Sequence, residues 1–261
     1  MKIFTILLFI SFSLTLQLES KPQPIPPGNN PLKPTKCFSF SASKRILNKI
    51  YLKSGHNKTF YCGCTFSEDK KIDPQVCGYI ARKSTNPRST RLEWEHIVPA
   101  SFFGKNLQCW IEKICIKGNG ERYKGRRCCR KQSEKFKKME ADMHNLVPSV
   151  GEINGDRSNL PYGIIEGEKR KYGKCDFEKE NGSVEPQESI RGDIARSYFY
   201  MSIQYQIKLS DSLEDMLREW HFSDPPDKWE REKNTLIEQE QGNRNPFIDF
   251  PEILIRDVND F

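Results

Sequence analysis

Only four histidines occur in this 261-residue chain: His56, His96, His144 and His221. A neutral imidazole can accept a proton from water near pH 7, so each is a candidate base. His96 has the most suggestive setting, because Glu95 directly precedes it at the end of an apolar, strand-like run closed by Pro99. A carboxylate that can hold an ion beside an imidazole that can take a proton is the core of a hydrolytic site. Adjacent side chains of a regular strand point to opposite faces. The two therefore serve one site only where the backbone kinks or a substrate lies across the strand end. Read alone, the pair is also explained by a surface Glu-His neighbour, which is the commoner case.

A second cluster spans residues 139–159. Pro148 suits a first helical position and predicts a short helix over 149–159, with Asn154, Arg157 and Ser158 on one face. Asn145 stands just ahead of it. Glu and Asn oxygens, with water filling the remaining positions, suit a hard cation such as Mg2+. The plain alternative is that Asn145 and Asn154 bond loop backbone, as Asn often does.

Charge marks a third feature. Residues 113–138 carry eleven Lys/Arg against two Glu, and the remainder of the chain is slightly acidic, so the overall +7 comes from this one block. Such a block attracts polyanions and binds phosphates through counterion release. Most charge runs are solvated, flexible loops; here Cys115, Cys128 and Cys129 can pin the segment in place.

These groups need a scaffold. Residues 3–16 are apolar behind Met1-Lys2, which reads as a secretory signal peptide over 1–20, too short to span a membrane comfortably. Residues 21–36 are Pro-rich and form a linker, and the folded part, 37–261, follows. The nine cysteines fit an exported chain with at most four internal disulfides and one thiol left over, in a connectivity that spacing does not reveal. Cys62-Gly63-Cys64 and Cys128-Cys129 lack the spacing of a zinc knuckle. Hydrophobic spacing predicts helices over 43–52, 190–207, 213–220 and 229–239, with short strands over 60–65 and 78–82 and a turn over 182–187. The fold class is α+β: mixed short strands and several helices. Composition excludes collagen-like, coiled-coil and multi-span membrane chains.

The blocks Glu93-Trp94-Glu95-His96-Ile97-Val98-Pro99-Ala100 and Asp142-Met143-His144-Asn145-Leu146-Val147-Pro148-Ser149-Val150-Gly151-Glu152-Ile153-Asn154-Gly155-Asp156-Arg157 resemble the two signature blocks of the bacterial endonuclease I family. Residues 191–201 are similar to that family's core helix, and Gln241-Gly242-Asn243-Arg244-Asn245-Pro246-Phe247 to its C-terminal signature. The likeness covers about residues 38–250. It implies a secreted or periplasmic, sequence-nonspecific nuclease built around a ββα-metal (His-Me) finger.

Carried over by position, the resemblance makes His96 the general base and Glu95 and Asn154 the protein ligands of a single divalent ion, expected to be Mg2+. Arg126 is similar to the arginine that steadies the phosphate, with Arg127 as the neighbouring choice. Glu140 resembles an acidic residue near the site; Asn145, just ahead of the expected helix, is taken as a supporting residue. Lys124, Arg127, Arg130, Lys131 and Arg157 are the expected nucleic-acid contacts. The implied reaction is hydrolysis of DNA to 5′-phosphate ends, with RNA left open as a second substrate. The chain is expected to act as a monomer, in the periplasm or outside the cell, with no membrane attachment once mature. Extra residues between Cys115 and Arg126 depart from the family pattern. Two rivals remain: a non-catalytic polyanion-binding module, and a cysteine hydrolase pairing the spare thiol with His96 or His144.

Overall fold

The computed structural model describes residues 34, 36–167, 169–252, 255 and 261. The expected signal peptide and all but the last residues of the Pro-rich stretch lie outside them.

Helix α1 (Phe40–Lys53) opens with Ser39, whose side chain accepts a hydrogen bond from the Ala42 amide, and buries Leu47, Ile50 and Tyr51. A two-residue ribbon follows, β1 (Thr65–Phe66) against β2 (Ile72–Asp73), then β3 (Leu92–His96) and the short helices α2 (Ala100–Gly104) and α3 (Gln108–Ile111). The basic segment folds as the hairpin β4 (Cys115–Ile116) and β5 (Arg122–Tyr123), then α4 (Arg126–Gln132) and α5 (Glu134–Ala141). Beyond a 3-10 turn at Met143–Asn145 come β6 (Leu146–Val150) and α6 (Gly151–Arg157). The hairpin β7 (Phe177–Glu180) and β8 (Ser183–Pro186) precedes α7 (Arg191–Tyr205), α8 (Asp211–Ser223), α9 (Lys228–Gln241) and α10 (Pro246–Asp249).

The centre is antiparallel pairing of β3 with β6, from Leu92 opposite Val150 to His96 opposite Leu146, with α6 running straight on from β6. Every residue of β6 is buried, and α7 is buried around most of its circumference, including Ile194, Phe199, Tyr200 and Met201. Even Arg196 is fully enclosed. It is accepted by Glu230 Oε1 at 2.7 Å and by the Asp224 carbonyl oxygen at 2.6 Å, so its buried charge is matched.

The α+β class stands, with four disulfides: Cys62–Cys175, Cys64–Cys77, Cys109–Cys129 and Cys115–Cys128. Cys37 is the free, exposed thiol. The adjacent pairs that invited a metal reading send their sulfurs to different partners, which removes a zinc knuckle. Two disulfides hold the basic segment in place. Among the described residues no helix is long and apolar enough to cross a membrane.

Several local expectations change. Residues 60–64 and 78–82 are turns and bridges rather than strands, because Cys62, Cys64 and Cys77 fix them covalently. Residues 183–186, expected as a turn, are a strand paired to β7. Pro148 sits inside β6 instead of opening a helix. Its carbonyl oxygen accepts from the Phe60 amide, away from β3, so its nitrogen faces that way too and β3 loses no partner. The helix therefore begins at Gly151.

Candidate active site

The C-terminal end of β3 is held from two sides. Asn145 Oδ1 accepts from the Val98 amide at 2.7 Å, and its Nδ2 donates to the Val98 carbonyl at 3.0 Å. Arg157, on α6, donates Nη1 to the His96 carbonyl at 2.7 Å and Nη2 to the Ile97 carbonyl at 2.6 Å. The backbone is thereby fixed where the strand ends. Glu95 and His96 still lean to different neighbours, as alternation requires: Glu95 toward Tyr61 and Arg157, His96 toward Phe40 and Glu140. Both nevertheless line the same cleft, a concavity of about 890 Å³ that also receives Asn154, Arg126 and Arg130.

The ring of His96 is buried, with Nε2 2.8 Å from the backbone carbonyl oxygen of Glu140. A carbonyl only accepts, so Nε2 carries the hydrogen and Nδ1 keeps its lone pair. Nδ1 faces Arg126, whose Nη2 stands 3.4 Å away. Burial, then the Arg126 charge, push the imidazole pKa down to about 3, so the ring is neutral at physiological pH.

Glu95 is also buried, and burial pushes its carboxyl up to about 7 against the pull of Arg157 and Tyr61. Its Oε1 accepts from Tyr61 at 3.2 Å and meets Arg157 Nη1 at 3.0 Å. Asn154 donates Nδ2 to Glu93 Oε2 at 2.8 Å, which leaves its amide oxygen as the atom for a ligand. No group of three His, Cys, Asp or Glu able to hold a metal occurs among the described residues. The oxygen donors that the expected ligand pair would offer an ion are the Glu95 carboxylate and the Asn154 amide oxygen. That set fits an ion such as Mg2+, which takes oxygen ligands and keeps several of its waters.

Glu140 works through both its backbone and its side chain. Its carboxylate, 1% exposed, accepts from Arg126 Nε at 2.6 Å, Arg130 Nε at 2.6 Å and Arg130 Nη2 at 2.5 Å. Burial alone would raise this carboxyl, but the Arg130 and Arg126 hydrogen bonds hold it below the usual range. Glu140 thus aims two arginines at the cleft without presenting itself to a substrate.

The remaining expected contacts scatter. Lys124 donates to the Ile111 carbonyl, Lys131 lies over the Tyr123 ring, and Arg127 is exposed; none of the three lines the cleft. Between the two neighbouring arginines, Arg126 is the one at His96. Arg157 stands apart from Lys124, Lys131 and Arg127: it lines the cleft, but it is 0% exposed with both terminal nitrogens bonded to the carbonyls of His96 and Ile97, so it clamps the strand end.

The cleft also contains residues that the sequence reading passed over. Lys44 on α1, Lys70, Arg88 and Arg91 extend the cationic wall beyond the basic block. Glu93, two residues before Glu95, joins Arg88 and Arg91 to Asn154. Strand alternation pointed to Glu93, since it shares a face with Glu95. No local pattern pointed to Lys44 or Lys70, which arrive from distant segments.

Residues 40–252 match the family described as Endonuclease I. A periplasmic deoxyribonuclease of Aeromonas hydrophila is 43% identical over 228 residues, covering 85% of this chain and 90% of that protein. An extracellular deoxyribonuclease of the same organism is 43% identical over 218 residues, covering 81% of this chain and 88% of its own. A protein described as Endonuclease-1 from Buchnera aphidicola subsp. Acyrthosiphon pisum is 43% identical over 217 residues, covering 80% of each.

Proposed function

The chain belongs to the endonuclease I family, and from that premise we propose that it is an exported, Mg2+-dependent endonuclease hydrolysing DNA phosphodiesters with little sequence preference. The observation that carries this reading is the anchored His96, its Nδ1 lone pair facing a cationic cleft shared with Glu95, Asn154 and Arg126.

In the proposed reaction a water attacks phosphorus in line, the bond to the 3′ oxygen breaks, and the departing 3′ oxygen takes a proton from solvent water, giving a 5′-phosphate and a 3′-hydroxyl. His96 Nδ1 takes the attacking water's proton, while Nε2–H stays on the Glu140 carbonyl and steadies the imidazolium that forms. Arg126 turns from Nδ1 to the non-bridging phosphate oxygens, where negative charge develops. Glu95 and Asn154 would hold the ion, which when bound supplies Lewis-acid neutralisation of the phosphate and the leaving oxygen. Arg130, Lys44 and Lys70 supply phosphate contacts that carry no base information, hence the low preference.

A charge-only polyanion binder leaves the anchored imidazole and the oriented Asn154 amide without purpose. A cysteine hydrolase finds no thiol in the cleft, since eight cysteines are bridged and Cys37 does not line it. The relatives' periplasmic and extracellular descriptions agree with export to either place. Supercoiled plasmid digested with Mg2+ and spared in EDTA supports the proposal; no digestion with any divalent ion overturns it. Duplex RNA in the same assay decides the second substrate.

A further inference from the structure

Glu93 sits on β3 against Arg88 and Arg91, and among the described residues it is the acceptor for the side-chain nitrogen of Asn154. Its carboxylate accepts from Arg88 Nε at 2.9 Å, Arg88 Nη2 at 2.6 Å and Arg91 Nε at 3.2 Å, in addition to Asn154 Nδ2 at 2.8 Å. A carboxylate facing two guanidinium groups accepts and does not donate, so the Asn154 amide has one permitted orientation: nitrogen to Glu93, oxygen away from it. We infer that Glu93 is the positioning residue of the candidate metal centre, fixing the Asn154 oxygen for the cation while its charge holds Arg88 and Arg91 at the cleft wall. The inference rests on the reading of Asn154 as an ion ligand.

The helix is built to allow this. A Cβ on Gly151 would stand 2.9 Å from Glu93 Oε1 and 2.7 Å from the Arg88 carbonyl oxygen. One on Gly155 would collide with Arg88 Nη1, whose guanidinium Glu93 already pins. Two glycines four residues apart thus open one face of α6 to the Glu93–Arg88 pair, on either side of Asn154. Arg88, Arg91 and Glu93 also link the two tasks of the cleft. The same carboxylate that orients an ion ligand partly neutralises two cations within reach of a phosphate chain.

That link gives the test opposite signs. Mg2+ binding is measured by calorimetry on the whole protein without DNA, and duplex binding is measured separately in EDTA. Glu93→Ala should weaken Mg2+ binding by about 10- to 100-fold, the usual effect of removing a group that orients a metal ligand. Its duplex affinity in EDTA should stay level or rise, because Arg88 and Arg91 lose their carboxylate. Glu93→Gln should bind Mg2+ nearly as the parent does, since its amide oxygen still accepts from Asn154. Asn154→Asp, which sets two carboxylates against each other, should weaken Mg2+ binding, and adding Glu93→Gln should restore it.

Parental Mg2+ binding by Glu93→Ala, with Asn154→Ala defective, overturns the positioning role alone. Parental binding by Asn154→Ala removes Asn154 from the ligand set and the inference with it. A joint loss of metal and duplex binding in Glu93→Ala makes Glu93 a structural support only. Should that variant not fold, the Asn154→Asp pair decides, and failure of Glu93→Gln to restore binding overturns the inference.

Discussion

The backbone carbonyl oxygen of Glu140 lies 2.8 Å from Nε2 of His96, and the carboxylate of the same residue holds Arg126 and Arg130. One buried residue at the end of α5 therefore sets both the tautomer of the candidate base and the aim of the candidate phosphate-binding arginines. Because the imidazole is held through main chain, side-chain substitution of Glu140 leaves the base in place and disturbs the arginines first.

Arg126 and Arg127 should separate cleanly. Arg126→Ala removes the cation beside His96 Nδ1 and is expected to lower kcat by about 10²- to 10³-fold, the usual effect of losing one charge-stabilising donor. Arg127→Ala, outside the cleft, should leave kcat within a few-fold and act on KM at most. Steady-state digestion of a labelled duplex decides; a reversed order would move the catalytic role to Arg127.

Arg157, bonded to the strand end from inside the fold, is expected to act on stability first. Arg157→Met strips a fully buried cation from Glu95 and from the carbonyls of His96 and Ile97. Breaking such a buried pair should cost about 3–5 kcal/mol, read from urea unfolding. A variant of parental stability with a shallower salt dependence of DNA binding would return Arg157 to the nucleic-acid surface.

The two disulfides under the basic segment are expected to act on the fold. Replacing Cys115 and Cys128 together by Ala should lower stability by about 2–4 kcal/mol. Cys37→Ser should change nothing in unfolding. Thiol titration of the unfolded, unreduced chain should find a single equivalent, absent in Cys37→Ser; more than one would contradict the pairing.

Acid should destabilise the fold partly through His144. This ring is buried against Tyr200, its Nε2 donates to the Asn243 carbonyl at 3.1 Å, and burial holds its pKa below the ordinary value. The unfolded chain takes up a proton as pH falls through about 6.5, where the folded chain does not. The stability contributed by neutral His144 is thus complete above that pH and lost as the solution becomes more acidic. His144→Gln should shrink the fall in Tm between pH 7 and pH 5; an undiminished fall contradicts this.

How much of the site was legible in sequence follows from the range of the interactions. Glu95 next to His96, and Asn154 nine residues after Asn145, are local patterns, and the structure brings Glu95, His96 and Asn154 to one cleft. The helical spacing of apolar residues behind α1 and the largely buried α7 was equally readable. The burial of Arg157 was not legible, because a surface arginine and a buried one look alike until the carbonyls they bond are known. Pro148 was misread because its fit to a strand depends on Phe60, far off in sequence, donating its amide to the Pro148 carbonyl on the side away from β3. Lys44 and Lys70 come from segments that meet the cleft only in the folded chain, whereas Glu93, two residues before Glu95, lay within reach of strand alternation.

The central claim is that His96 performs proton transfer in a metal-dependent phosphodiester hydrolysis. It is tested most directly by single-turnover cleavage of a labelled duplex by the parent and His96→Ala, at enzyme concentrations that saturate binding and with Mg2+ present. The account predicts a cleavage rate at least about 10²-fold lower in His96→Ala, with duplex affinity unchanged. Cleavage by His96→Ala at the parental rate, or parental cleavage that continues in EDTA, would contradict it.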